Sequence, residues 1–211
     1  MPFPTTNATE ELPALNNILA SVGQAPVTTL DQTNPDVAIA YNTLLEVSRE
    51  VQAEGWTFNR EHCVTTAPDD NDNILIPSNV LQVDLTDNAA NKGKLAVRRT
   101  ETTDGKSKLY EKTKHTYLWT ENEYELDFVY YYDWVDLPVP VQDYITARAA
   151  TVTSSRIVGD PGQYRILQQK ELQARANALE YDCNQGDYTF FGHPAGGNFY
   201  NSYKPYEALQ R

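Results

Sequence analysis

Apolar side chains recur at three- and four-residue steps near the start of the chain, and this spacing predicts a short helix with one buried stripe. Gly23 follows the last apolar position and can adopt the left-handed conformation in which many helices end. Pro26 cannot continue a helix. The pattern therefore predicts a helix, a stop and an extended segment. The apolar stripe consists of Leu12, Leu15, Ile18, Leu19 and Val22.

A second helix is predicted from Asn34 to Gly55. Asn34 is a favoured N-cap residue, Pro35 is a favoured first helical residue, and Gly55 marks the end. Trp56 and Phe58 follow at strand spacing, and we expect them to anchor the end of this helix in the core. The predicted buried face consists of Val37, Tyr41, Leu44, Leu45, Ser48 and Val51.

From residue 61 to residue 133 the period of the apolar pattern changes to two, which predicts short strands separated by turns. In the last strand, aromatic and aliphatic residues alternate with a second face that carries Glu125 and Tyr131. This alternation is typical of an antiparallel strand with one buried face. Strands are predicted at residues 63–65, 74–76, 80–85, 94–97, 108–110, 116–119 and 124–134.

Two further helices are predicted after the strands. Pro140 opens the first, which ends before Gly159, and the second spans residues 163–183. One face of the second helix is predicted to contain Ile166, Leu167, Lys170, Ala174, Ala178, Leu179 and Asp182.

This order of elements predicts an α+β protein. The N-terminal and C-terminal helix pairs are expected to form a four-helix bundle, with an antiparallel β module inserted between them. The expected divisions are residues 1–60 for the first helix pair, 61–136 for the β insertion, 137–184 for the second helix pair and 185–211 for an aromatic C-terminal arm.

The C-terminal arm combines glycines, which disfavour a helix, with many large aromatic side chains. So much aromatic surface favours contact with protein over exposure to water. The arm either folds back on its own domain or docks on a neighbour, and docking is the preferred hypothesis. The expected contact residues are Phe190, Phe191, Phe199, Tyr200, Tyr203 and Tyr206.

The net charge of −12 argues against a protein that wraps nucleic acid, because phosphate binding requires clustered Lys and Arg. The longest basic run is Arg98-Arg99. An acidic lining could instead repel DNA that passes through a ring of subunits, or the acidity could serve solubility alone. The fourteen Tyr residues mildly favour an interaction protein over an enzyme.

No motif for a cofactor, a metal or a nucleotide is present, and no enzymatic activity is expected. Residues 69–73 begin like a calcium loop, but Ile74 and Val80 replace the required Gly and Glu. With two cysteines and no secretion signal, no disulfide is expected. No stretch approaches about 18 apolar residues, so no membrane span is expected. A carbohydrate-binding or glycoside-hydrolysing protein remains the alternative, because carboxylates alternate along one strand. These are Glu121, Glu123, Glu125 and Asp127.

Several segments, in their order and spacing, resemble the tail tubular protein A family. The first helix reads N-x-I-L-A-S-x-G and is followed by P-V-x-T-L, and the second helix is closed by G-W-T-F-N. A further patch ends the fourth helix. The matching positions are Glu11-Leu12, Asn16 to Gly23, Pro26-Val27, Thr29-Leu30, Gly55 to Asn59, Glu180-Tyr181-Asp182, Gly186 and Tyr188.

The resemblance implies a structural adaptor of short-tailed bacteriophages that joins the portal to the tail nozzle, formed by tubular protein B. It also implies a ring of twelve subunits, a nearby attachment point for tail fibres, and passage of double-stranded DNA through the ring without specific binding. Such a protein is assembled in the host bacterial cytoplasm and resides in the virion tail. Tyr131 and Glu125 of the last strand are the expected partner contacts of the β module.

Overall fold

The structure is a computed structural model that describes residues 8–30, 34–87, 91, 93–101 and 105–186. Within these ranges it contains four α-helices and two small antiparallel sheets, which confirms the α+β class. The helices are α1 (Ala8–Ser21), α2 (Pro35–Gln52), α3 (Val139–Ile157) and α4 (Pro161–Gly186). The strands are β1 (Arg60–Thr66), β2 (Val80–Leu85), β3 (Ala96–Thr100), β4 (Ser107–Glu111) and β5 (Tyr124–Tyr130), and a 3₁₀ turn spans Trp134–Asp136.

The first helix ends as the sequence predicts. Gly23 has a φ of 77°, the left-handed conformation that a side chain would strain. The side chain of Asn16 then fixes the extended segment, because it accepts a hydrogen bond from the Val27 N–H at 2.8 Å and donates one to the Val27 carbonyl at 3.0 Å. Leu15, Ile18 and Leu19 of the predicted stripe are buried.

The second helix also begins as predicted. The Asn34 side chain accepts a hydrogen bond from the Asp36 N–H at 3.0 Å, which satisfies one of the free N–H groups at the helix start. All six residues of the predicted face are buried. Trp56 is buried after the helix end and donates its indole N–H to the Val51 carbonyl at 2.7 Å.

Helix α3 packs against α1, α2 and α4 and is therefore the shared partner in the helical part. The arrangement as a four-helix bundle remains a prediction. On α4, Leu167 and Ala178 are buried, but Ile166 and Leu179 are 60% and 44% exposed, so their predicted place on the core face is wrong. Successive helical residues are about 100° apart, so Leu167 can be buried while its neighbour Ile166 is exposed.

The larger sheet has the order β1-β5-β2, and β3 pairs with β4 in a separate hairpin. Two predicted strands are wrong, because residues 74–76 and 116–119 form only isolated bridges, Leu75 to Lys108 and Thr116 to Glu111. Strand β5 ends at Tyr130, four residues earlier than predicted. Beyond it, the Tyr131 N–H donates to the Asn79 carbonyl, and the Tyr132 N–H donates to the Gln52 side chain. These hydrogen bonds take the place of strand pairing.

Two groups of buried apolar residues form separate cores. The helical core contains residues of all four helices together with Trp56, Trp134 and Leu137. The β core lies between the two sheets and includes Trp119, whose indole N–H donates to the Leu109 carbonyl at 2.9 Å. The members of the β core are Ile74, Ile76, Val80, Leu85, Ala96, Leu109, Trp119, Tyr124, Leu126 and Phe128.

Candidate interaction surfaces

The two predicted contact residues of the β module lie in different surroundings. Glu125 is exposed on β5. Tyr131 follows the end of β5 and is half-buried, and its hydroxyl hydrogen-bonds the Ser48 side chain of α2. Burial raises the pKa of Tyr131, and the hydrogen bond with Ser48 opposes that rise. Tyr131 therefore contacts the helical core, and Glu125 is the more accessible of the two.

The predicted contact residues of the C-terminal arm all lie outside the described residues. Their role remains a hypothesis from the sequence. These residues are Phe190, Phe191, Phe199, Tyr200, Tyr203 and Tyr206.

A groove of about 330 Å³ lies on the larger sheet, and the carboxylate of Asp127 is among the groups that line it. Asp127 accepts hydrogen bonds from the Cys63 N–H at 3.0 Å and the Thr86 hydroxyl at 2.7 Å, and His62 Nδ1 lies 3.3 Å from its second oxygen. Burial acts to raise the pKa of Asp127, but the hydrogen bonds and His62 outweigh it and hold the pKa below its usual value. The groove is lined by Arg60, His62, Gln82, Val83, Asp84, Asp127, Phe128 and Val129.

The sequence pattern did not reveal the contact between His62 and Asp127. A bulge between Glu61 and Val64 interrupts the register of β1 with β5, and Cys63 has a φ of 56°. The bulge inserts an extra residue, so that the side chain of His62 and the N–H of Cys63 both reach Asp127. No spacing rule predicts where a strand of this composition bulges.

The row of carboxylates does not form a shared cleft. Of its four members, only Asp127 lines the groove, and Glu121 pairs with Lys94 at 2.6 Å. A glycosidase requires a general acid with a raised pKa, whereas the pKa of Asp127 is lowered. The observed geometry therefore gives the carbohydrate-hydrolysing alternative no support.

The loop that begins like a calcium site is a hydrogen-bonded turn. One carboxylate oxygen of Asp69 accepts the N–H groups of Asn71 and Asn73, both at 2.9 Å. The Asn73 N–H hydrogen bond is the largest influence on the pKa of Asp69, and the pKa is lowered. In the part of the chain that the structure describes, no group of three or more His, Cys, Asp or Glu residues could hold a metal ion.

A ladder of ion pairs joins α2 to the C-terminal helices. Glu46 and Glu50 of α2, and Glu54 just after its end, face arginines of α3 and α4. The hydrogen bond from Arg156 holds the pKa of Glu46 below its ordinary value. Most of these side chains are partly exposed, so the ion pairs add little stability. Their main effect is to align α2 with α3 and α4. The pairs are Glu46–Arg156 at 2.9 Å, Glu50–Arg148 at 2.8 Å and Glu54–Arg175 at 3.1 Å.

The described surfaces carry polar faces, one ladder of ion pairs and several exposed apolar residues. None of the described helices has both the length and the apolar character needed to cross a membrane. The sequence profile of the tail tubular proteins matches residues 12–188. This chain belongs to the tail tubular protein family, whose members are structural components of the bacteriophage tail. A search of curated proteins finds no match.

Proposed function

We propose that the protein is a ring-forming adaptor that joins the portal to the tail nozzle and surrounds the DNA path during packaging, retention and ejection. The observation that carries the proposal is the family match across residues 12–188, which spans both the helices and the β module. In this proposal the helical parts, residues 1–60 and 137–184, form a wedge that repeats around the ring axis. The β module, residues 61–136, faces the nozzle and fibres.

The charge of the chain suits a DNA conduit. A net charge of −12 repels duplex phosphates, so DNA can slide through the ring without adhering to it. The ring is proposed to hold twelve copies and to assemble on the portal in the host cytoplasm before it becomes part of the virion tail.

The decisive experiment mixes the purified protein with purified portal protein and examines the product by negative-stain imaging and native mass spectrometry. Rings of twelve copies that appear only on mixing would support the adaptor role. A protein that stays monomeric with the portal and releases reducing sugar from host polysaccharide would instead establish the carbohydrate-active alternative.

The arm and the β module can be tested in the same assay. A chain truncated after Gly186 is expected to lose assembly on the portal, since the arm is proposed to contact the portal or a neighbouring copy.

The variant Glu125→Ala is expected to weaken nozzle and fibre attachment. Tyr131→Phe removes only the hydroxyl that contacts Ser48, and it serves as a control for changes inside the fold. Unchanged attachment in Glu125→Ala would remove that residue from the proposed contact.

A further inference from the structure

The basic residues of this acidic chain are concentrated in one hairpin. Residues 92–114 contain eight of the 17 Lys and Arg residues but only three acidic residues, which gives this segment a charge of +5. The other nine basic and 26 acidic residues give the remainder a charge of −17. The basic residues do not form a continuous run because they are dispersed over the two strands and the residues that connect and flank them.

Strand pairing brings part of this charge onto one face. Val97 pairs with Tyr110 across the hairpin, and the Lys112 N–H donates to the Leu95 carbonyl at 2.7 Å. Because alternate strand residues share a face, Leu95, Val97 and Arg99 lie together beside Lys112. Leu95 and Val97 are 60% and 37% exposed. We call these four residues the hairpin face.

The position of Arg99 on this face is fixed by an aromatic pair. Its guanidinium lies 4.3 Å from the centre of the Tyr110 ring, and Tyr110 makes an edge contact with Tyr117 at 4.9 Å. An arginine held over a tyrosine ring has already lost part of its side-chain entropy. It is therefore prepared to bind a carboxylate at little further entropic cost.

The composition of the hairpin face favours a protein partner over nucleic acid. Three lysines of the hairpin region are already paired with glutamates, as Lys94–Glu121, Lys108–Glu101 and Lys114–Glu111. Two exposed aliphatic side chains lie between the remaining charges, and these gain nothing from a phosphate backbone. An apolar centre with an arginine and tyrosines nearby is typical of a protein interface.

A complementary surface exists on the same chain. No Lys or Arg occurs between Lys114 and Arg148, and the segment that joins β5 to α3 is acidic and apolar. Trp134 and Leu137 anchor this segment in the helical core, while Val135 and Val139 are 45% and 66% exposed. We call the exposed residues of this segment and of the start of α3 the acidic edge, which consists of Asp133, Val135, Asp136, Val139 and Asp143.

We propose that the hairpin face of one copy docks on the acidic edge of the next copy. Both surfaces combine a pair of exposed aliphatic residues with charge, and their charges are opposite. Both are open in the single chain, so one copy does not satisfy its own surfaces. An interface between two different patches repeats from copy to copy and closes into a ring when the rotation allows. The inference rests on the proposed ring function and specifies its contact.

The first test is cross-linking between the two surfaces. In a background with Cys63→Ser and Cys183→Ser, the pair Val97→Cys and Val139→Cys is expected to form intermolecular disulfides when rings assemble on the portal. The matched control combines Val97→Cys with Ile166→Cys, which is 60% exposed on α4. Equal cross-linking in both proteins, or none in the first, would overturn the inference.

The second test reverses charges. Arg99→Glu with Lys112→Glu, or Asp136→Lys with Asp143→Lys, is expected to weaken ring assembly at least about tenfold, and the four changes together are expected to restore it. Arg165→Glu with Lys170→Glu makes the same charge change on exposed positions of α4 and is expected to leave assembly unchanged.

The outcomes separate this inference from the proposed function. Rings that form equally well in every charge variant would refute the docking surfaces and leave the adaptor role intact. Wild-type protein that forms no rings on the portal would refute both. If Arg99→Glu with Lys112→Glu leaves rings intact but abolishes retention of duplex DNA, the hairpin face binds nucleic acid and the proposal fails.

Discussion

Asn59 is the residue that joins the helical part to the β module most directly. It is fully buried, and its side chain accepts the Trp56 N–H and donates to the carbonyls of Gln52 and Tyr130, each at 2.8 Å. Its own carbonyl accepts the Tyr130 N–H at 2.8 Å. One side chain therefore satisfies backbone groups at the end of α2, in the following turn and at the end of β5.

Asn59→Ala is expected to lower the free energy of unfolding by about 2–4 kcal/mol, because it leaves buried backbone groups without partners. Urea unfolding measures the change. Asn71→Ala, in an exposed turn, is the control and is expected to change stability by about 0.5 kcal/mol or less. Equal stability of the two variants would contradict the role given to Asn59.

The lowered pKa of Asp127 predicts that this residue contributes to stability in a way that depends on pH. Its folded-state pKa lies below the unfolded value of 3.8, so the contribution is present above that value and is lost as the pH falls through the folded-state pKa. In urea unfolding, wild-type protein is expected to be more stable than Asp127→Asn at pH 6, and the difference is expected to shrink by pH 3. Thr86→Val removes one hydrogen-bond donor and should weaken this pH dependence. A difference that is constant with pH would contradict the assignment.

At the scale of elements, α4 is the helix that sequence periodicity described least well. Its large apolar residues Ile166, Leu172 and Leu179 are exposed, although the helix packs extensively against α3. Asp182 accepts the Thr57 N–H at 2.7 Å, and Arg175 pairs with Glu54. The contact between Asp182 and Thr57 links two segments of the resemblance, G-W-T-F-N and the end of the fourth helix.

Asp182→Ala is expected to cost about 1–2 kcal/mol of stability, since the N–H of Thr57 loses a charged acceptor. Hydrogen exchange should accelerate in the last turns of α4 and leave α2 unchanged. Glu180→Ala, two residues earlier and exposed, is the matched control. Exchange that is the same in both variants would show that Asp182 does not hold the helix end.

At the scale of the whole molecule, the presence of two cores predicts that the helical part and the β module differ in their stability against local unfolding. Leu126 is fully buried in the β core and Ile145 in the helical core. Leu126→Ala is expected to cost about 2–5 kcal/mol and to accelerate hydrogen exchange more in β1, β2 and β5 than in α2 and α3. Ile145→Ala should show the reverse. If each variant accelerates exchange evenly throughout, the protein is a single cooperative unit.

The sequence by itself determined the elements whose signals are local. The N-cap of Asn34, the left-handed Gly23 and the buried face of α2 depend on neighbours within a few residues, and each is confirmed. Of the predicted stripe of α1, Leu15, Ile18 and Leu19 are buried. The segments that resemble tail tubular proteins likewise led to the family.

Only the tertiary structure decided which distant residues meet. Several features depend on contacts between residues far apart in the chain. They are the bulge that brings His62 to Asp127, the hydrogen bond from the Tyr132 N–H to Gln52 beyond the end of β5, the contact of Tyr131 with Ser48, and the charged hairpin face. Periodicity reports which face of an element is apolar but not what covers it. For that reason the predicted face of α4 includes exposed residues, and the residues of the hairpin face come together only when its two strands pair.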